Sequence, residues 1–413
     1  LSLKKTSANP ELTDNNSCYS VDGAEYGVYS DENCTSEMAT LTTDASGDSN
    51  IVDLYAGMYY VKEKTAPKGY ALDPQVYPVT VTSGQPASLE VTDIPQSDPV
   101  WTFLGKIDAE TTQNMPQGSA SLENAEFTVK YYDGFYDVDP ATQGKKPIRT
   151  WILKTDEGGF TALDKDYLLS GDEFYYMSNG DVALPLGTIT IQETKAPVGY
   201  LLNDEIFVRK ITSDGTVESV DTYNEPEVPE SVIRGGVRIE KWDNELASKN
   251  PQGAATLEGT KIQIVSENDS AVMVNGKTYK KGEVVKTITT DKTGVASTAA
   301  NELPYGDYIA KEQTPPAGYN LSGVTEHKFS IRENGKLVDL NTGDTAFRDN
   351  VIRGGVRIEK WDNELASRNP QGTSMLEGAK IQIISDNNNS VMVNGKTYKK
   401  GEVVKILTTD KTG

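Results

Sequence analysis

Three glutamates in this chain carry one local signature. Glu63-Lys-Thr-Ala-Pro-Lys-Gly-Tyr70, Glu193-Thr-Lys-Ala-Pro-Val-Gly-Tyr200 and Glu312-Gln-Thr-Pro-Pro-Ala-Gly-Tyr319 all read E-x-x-x-P-x-G-Y. Each follows an alternating, strand-like stretch: Tyr59-Tyr-Val-Lys, Thr188-Ile-Thr-Ile-Gln and Tyr308-Ile-Ala-Lys. A glutamate at a strand end, just before a Pro-x-Gly-Tyr turn, is a placed carboxylate. It can take up and return a proton, or simply stand solvated.

The elements around these boxes repeat too. An alternating strand ending in lysine opens each unit: Leu1–Lys5, Thr102–Lys106, Val237–Lys241 and Val356–Lys360. Lys4 adjoins Lys5, but Lys5 shares strand parity with Leu1 and Leu3. Hairpin signals follow at Thr43–Gly47, Thr155–Gly159 and Thr290–Gly294, where Asp and Gly supply turn conformations. The box comes next, then a closing strand: Leu89–Asp93, Val220–Asn224 and Thr345–Asp349. Asn350 adjoins Asp349, and parity with Phe347 favours Asp349. Val232–Gly294 returns without a gap as Val351–Gly413, most letters unchanged. The second copy stops before its own box, and Leu1 is neither a Met nor the start of a secretory signal, so the chain reads as a fragment of a longer array. Pro-rich connectors at Ile94–Pro99 and Glu225–Glu230 set the expected domains: 1–96, 97–230, 231–350 and the half domain 351–413.

Composition bounds the class. With 413 residues, 36 Gly, 19 Pro, 21 Tyr and only 36 % hydrophobic residues, the expectation is an all-β chain of several small domains. A net charge of −21 argues against nucleic acid, and no apolar run reaches membrane-spanning length. Cys18 and Cys34 are compatible with one disulfide or with two separate thiols. With a single His they exclude a Cys/His metal centre, and no cofactor motif is present. The second repeat is the longest from Lys to Glu. Its excess is aromatic (Tyr131–Tyr136, Trp151, Phe174–Tyr176) and reads either as a binding loop or as a longer hairpin covering the sheet.

The ordered set of lysine, E-x-x-x-P-x-G-Y box and closing Asn or Asp resembles the CnaB-type (SpaA-like) domains of Gram-positive surface proteins and pilins. The resemblance spans essentially the whole chain. It implies tandem prealbumin-like (immunoglobulin-like) β-sandwiches arranged as an elongated rod. It also implies spontaneous Lys–Asn or Lys–Asp isopeptide bonds assisted by the Glu. Carried over, the triads are Lys5, Glu63 and Asp93; Lys106, Glu193 and Asn224; and Lys241, Glu312 and Asp349. The chemistry is sensible: burial favours a neutral amine and a protonated carboxyl, and folding holds the reactants together. Lys360 has no such partners within the sequence.

The implied function is a structural stalk of a secreted, wall-associated surface protein, with one self-directed turnover rather than enzyme activity. The alternative is an adhesin or pilin subunit contacting a host or matrix ligand. Sortase and the cell wall are the expected partners, through regions outside this sequence.

Overall fold

The computed structural model describes residues 1–213 and 217–413. They form two compact bodies, residues 1–116 with 121–231 and residues 117–120 with 232–413. The chain is all-β, built from repeated sandwiches of two sheets. Among the described residues no helix is long and apolar enough to cross a membrane.

In the first repeat, one sheet runs in the order Glu37–Thr42, Glu25–Tyr29, Gly57–Thr65, Val76–Val81. Facing it are Ser2–Ser7 and Ser88–Asp93, paired in parallel. Alternation decides which side chains meet between the layers. Leu1, Leu3 and Lys5 turn inward beside Tyr26, Val28, Leu41, Val61 and Val91. Lys4 turns outward and pairs with Asp48 at 2.9 Å.

The second repeat has the same plan. Its larger sheet runs Leu168–Gly171, Arg149–Lys154, Glu126–Tyr132, Gly187–Lys195, Ile206–Ile211. Its smaller one holds Phe160–Thr161, Leu104–Asp108 and Glu227–Glu230. The aromatic excess is largely buried. Tyr131, Trp151, Phe174 and Tyr175 pack in one core with Leu12, Cys18, Tyr19 and Tyr70 of the first repeat. Trp151 lies tilted against Phe174, and Tyr131 meets Tyr175 edge to face. The Tyr131 hydroxyl accepts from Asn16 Nδ2 at 2.7 Å and donates to the Leu186 carbonyl at 2.8 Å. These aromatics hold the first body together rather than forming a free binding loop.

The expected disulfide is absent. Cys18 and Cys34 are both free thiols. Cys18 is turned into the shared core, where its Sγ accepts from the Gly134 N–H at 3.2 Å, whereas Cys34 sits in the turn opened by Asp31.

In the third repeat, the sheet Val284–Thr289, Lys261–Ser266, Gly306–Thr314, Glu326–Ile331 covers the long strand Arg234–Asp243. That strand is flanked in parallel by Leu337–Leu340 and Phe347–Val351, and antiparallel by Val295–Ser297. The partial fourth repeat keeps two hairpins, Lys380–Ile384 with Val403–Thr408 and Val391–Val393 with Lys396–Tyr398. Its Val356–Lys360 lies in no strand, and Lys360 is exposed.

Tyr131→Phe should test the shared core. Deleting the hydroxyl strips buried Asn16 of its shortest partner, and stability should fall by about 1–3 kcal/mol in urea unfolding. An unchanged midpoint would remove Tyr131 from that role.

Candidate functional site

Each complete repeat buries one lysine between its sheets, against two carboxyl groups. The lysine strand and the last strand run parallel in every case, with the same register. Lys5 lies opposite Val91, Lys106 opposite Val228 and Lys241 opposite Phe347. Two residues further on, with the same inward parity, stand Asp93, Glu230 and Asp349.

The box glutamate reaches in from the opposite sheet. Glu63 pairs across the ladder with Tyr26, Glu193 with Phe127 and Glu312 with Ile262. The register slips at the next residue each time, leaving Lys64, Thr194 and Gln313 as bulges. A bulge bends the strand and ends regular pairing, so the glutamate is the last side chain held rigidly over the core.

The contacts are short. Lys5 Nζ donates to Glu63 Oε1 at 2.7 Å and to the Tyr26 hydroxyl at 2.6 Å, and it contacts Asp93 Oδ2. Lys241 Nζ lies 2.6 Å from Glu312 Oε2 and 2.8 Å from Asp349 Oδ2. Lys106 Nζ contacts Glu193 Oε1 and Glu230 Oε1. The three lysines, the six carboxyl groups and Tyr26 are all buried. Backbone donors pin the carboxylates: Asp73 N donates to Glu63 Oε2 at 2.7 Å, and Asn203 N donates to Glu193 Oε2 at 2.8 Å. In the third repeat Ser322 N donates instead to Asp349 Oδ1, at 3.0 Å.

Two carboxylates around one ammonium leave a surplus negative charge in a dry place, which favours holding a proton. Burial pushes Asp93 up to about 7, with Lys5 opposing and Glu63 reinforcing the rise. Burial likewise lifts Glu230 to about 7 and Glu312 to about 8, against the pull of Lys106 and Lys241. Each cluster thus keeps one carboxyl partly protonated near neutrality. A protonated acid, a lysine and a second carboxylate in contact are the components of an amide condensation.

One expected residue stands elsewhere. Asn224 is exposed, outside any strand, and its carbonyl accepts from Arg209 Nε at 2.6 Å. The last strand of this repeat is Glu227–Glu230, which the sequence presents as a proline-rich linker. Pro229 is tolerated because the strand is a sheet edge, paired among the described strands with Leu104–Asp108. A signal existed: Val91-Thr-Asp93, Phe347-Arg-Asp349 and Val228-Pro-Glu230 share an apolar–x–acid pattern.

The end of the box has its own task. Tyr70, Tyr200 and Tyr319 each close a turn by donating N–H to the carbonyl of Pro67, Pro197 or Pro316. Gly199 and Gly318, at φ near +90°, take the left-handed place such a turn requires. The Tyr200 hydroxyl then donates to Asp108 at 2.9 Å, and that of Tyr319 to Asp243 at 2.8 Å. Both aspartates lie two residues past the buried lysine. The turn therefore ties the glutamate strand to the end of the lysine strand.

The family model described as "SpaA: Prealbumin-like fold domain" matches residues 10–95, 106–226 and 243–346. The chain belongs to this family. No curated protein sequence matches it. Among solved structures it is similar to the Bacillus anthracis TIE protein, at 25 % identity and a TM-score of 0.51, covering 83 % of this chain and 49 % of that one. The chain thus spans about half the length of that protein. It is also similar to BcpA, the major pilin subunit of Bacillus cereus, at 18 % identity and a TM-score of 0.32, covering 85 % of this chain and 99 % of BcpA.

Tyr319→Phe should loosen the third repeat. Asp243 would keep its contacts from Gln252 but lose the hydroxyl donor. A loss of about 1–3 kcal/mol is expected, together with faster amide exchange at Lys241–Asp243. Wild-type exchange there would show that the tie carries no load.

Proposed function

We propose that this chain is a stalk segment of a cell-wall-associated surface protein of a Gram-positive bacterium, hardened by isopeptide bonds that its repeats form unaided. The observation that carries this reading is the burial of Lys5 with Asp93, and of Lys241 with Asp349, in direct contact beneath a glutamate. The aromatic insert, the best candidate for an adhesin surface, is consumed in packing the first body, which favours the stalk.

The chemistry follows from the geometry. The lysine gives a proton to the ionised member of the carboxyl pair, leaving both acids neutral, and becomes a nucleophile. Its Nζ attacks the carboxyl carbon of the protonated aspartic acid, forming a tetrahedral intermediate. The glutamate returns the proton to the departing hydroxyl, which leaves as water, and then takes the second proton from the nitrogen, so that a neutral amide and a protonated glutamate remain. Effective molarities for reactants held this way reach the order of 10⁵ M or more.

The bond joins the first strand of a repeat to its last. Closing a loop of about 100 residues is worth roughly 4–5 kcal/mol against unfolding. The two strands are parallel neighbours, so force entering at one end and leaving at the other would shear them apart. A covalent bridge takes that load instead.

Intact-mass spectrometry should find the protein lighter by one water per Lys–Asp bond. Peptide mapping should recover Lys5 joined to Asp93 and Lys241 joined to Asp349. Glu63→Ala should leave the first pair unjoined in a folded protein. Linear peptides throughout a folded wild-type chain would overturn the proposal.

Bond formation should also depend on pH. The Asp93 carboxyl is raised in the folded state, so the unjoined precursor binds a proton that the unfolded chain has released. Its stability from this source is full below the ordinary aspartate range near 4 and is lost as pH rises through about 7. Refolding precursor taken directly from denaturant should join Lys5 to Asp93 readily below pH 7 and progressively more slowly above it. In the third repeat the raised group is Glu312, so joining there should persist to about pH 8. Flat rates across both ranges would exclude a shared proton.

A further inference from the structure

Among the described residues the second repeat sets no Asn or Asp against its lysine, yet it keeps the box glutamate, the parallel last strand and a buried acid two places along it. We infer that Lys106 condenses with Glu230, forming an amide between Lys106 Nζ and Glu230 Cδ. The inference rests on the proposed reading of the buried clusters as condensation sites.

Backbone equivalence carries the argument. Glu230 stands two residues past the partner of the lysine, as Asp93 and Asp349 do. Its carbonyl accepts from Ala109 N at 2.9 Å, three residues beyond Lys106. The Asp93 carbonyl accepts in the same way from Ala8 N at 2.8 Å, and that of Asp349 from Asn244 N at 2.9 Å. One backbone place is thus filled by a longer acid.

The side chain is equally committed. Glu230 is fully buried; its Oε1 contacts Lys106 Nζ, while its Oε2 has no hydrogen-bond partner among the described residues. An oxygen without a partner costs free energy in a dry core, and expelling it as water removes that cost. Glu193 faces the pair, held by Asn203 N as Glu63 is held by Asp73 N. Glu193 takes a proton from Lys106 Nζ. The amine attacks Cδ of the protonated Glu230 carboxyl, whose hydroxyl leaves as water with the proton returned by Glu193; the nitrogen then gives its second proton to Glu193, leaving a neutral amide. Nothing is oxidised or reduced. The bridge would close a loop of 124 residues, running from the first strand of the repeat to its last.

The test is peptide mapping of the full chain by tandem mass spectrometry. A branched peptide joining Lys106 to Glu230, lighter by one water, is expected. Glu230→Gln should join as well, releasing ammonia instead. The amide product is identical, so the joined variant and the joined wild type should have the same mass, although their unjoined chains differ. Glu230→Ala should leave Lys106 free while the bonds at Lys5 and Lys241 persist, and Asn224→Ala should change nothing. Should Glu230→Ala fail to fold, the Glu230→Gln comparison still decides. A linear Lys106 peptide in folded wild type with the other two bonds formed overturns this inference alone, as does a Lys106–Asn224 branch. Linear peptides at all three sites overturn the wider reading as well.

Discussion

The architecture of each complete repeat turns on a lysine buried between two sheets. Desolvating an ammonium costs several kcal/mol, and each carboxylate beside it adds a similar cost. Two carboxyl groups against one lysine repay part of this by attraction and by holding a shared proton. Such a cluster is specific but not especially stabilising, and removing one partner from a buried pair typically costs about 3–5 kcal/mol. Under the proposed condensation the buried ion pair would become a neutral amide and one carboxyl oxygen would leave as water, which would relieve the electrostatic cost of assembling the site.

The surrounding fold serves to bring these groups together from distant parts of the sequence. The lysine and the acid come from parallel neighbouring strands, whose register fixes the acid two places past the lysine's partner. The glutamate comes from the facing sheet and is presented just before a bulge. In the second and third repeats the Pro-x-Gly-Tyr turn then returns the chain so that its tyrosine grips an aspartate just past the lysine. Placing three groups within about 3 Å takes all of these devices, because an error of one residue in a strand would turn its side chain out of the core.

Much of this was legible in the sequence, for a definite reason. Strand alternation marks Lys5 against Lys4 and Asp349 against Asn350, and both inward choices are the buried ones. The box is recognisable because a left-handed glycine and a turn-closing tyrosine leave fixed letters. What escaped was where alternation is masked. Glu227–Glu230 carries Pro229 and follows Pro226, so an edge strand looks like a linker, and Asn224 looks like the better partner. The fate of Cys18 was equally hidden, because its neighbours Tyr131 and Leu186 lie far along the chain.

The repeated segment shows how far local sequence reaches. Val237-Arg-Ile-Glu-Lys241 and Val356-Arg-Ile-Glu-Lys360 have the same letters, but the first lies in a buried strand and the second in no strand at all. The difference is the company each keeps. The first is bordered by Val295–Ser297, Leu337–Leu340 and Phe347–Val351, which satisfy its backbone and cover Lys241. A five-residue stretch cannot bury a lysine by its own propensity; it needs the strand that carries the acid. Lys241 meets Asp349 only where Arg234–Asp243 pairs with Phe347–Val351, so in the proposed reading a bond there would lock a repeat whose first and last strands have already paired.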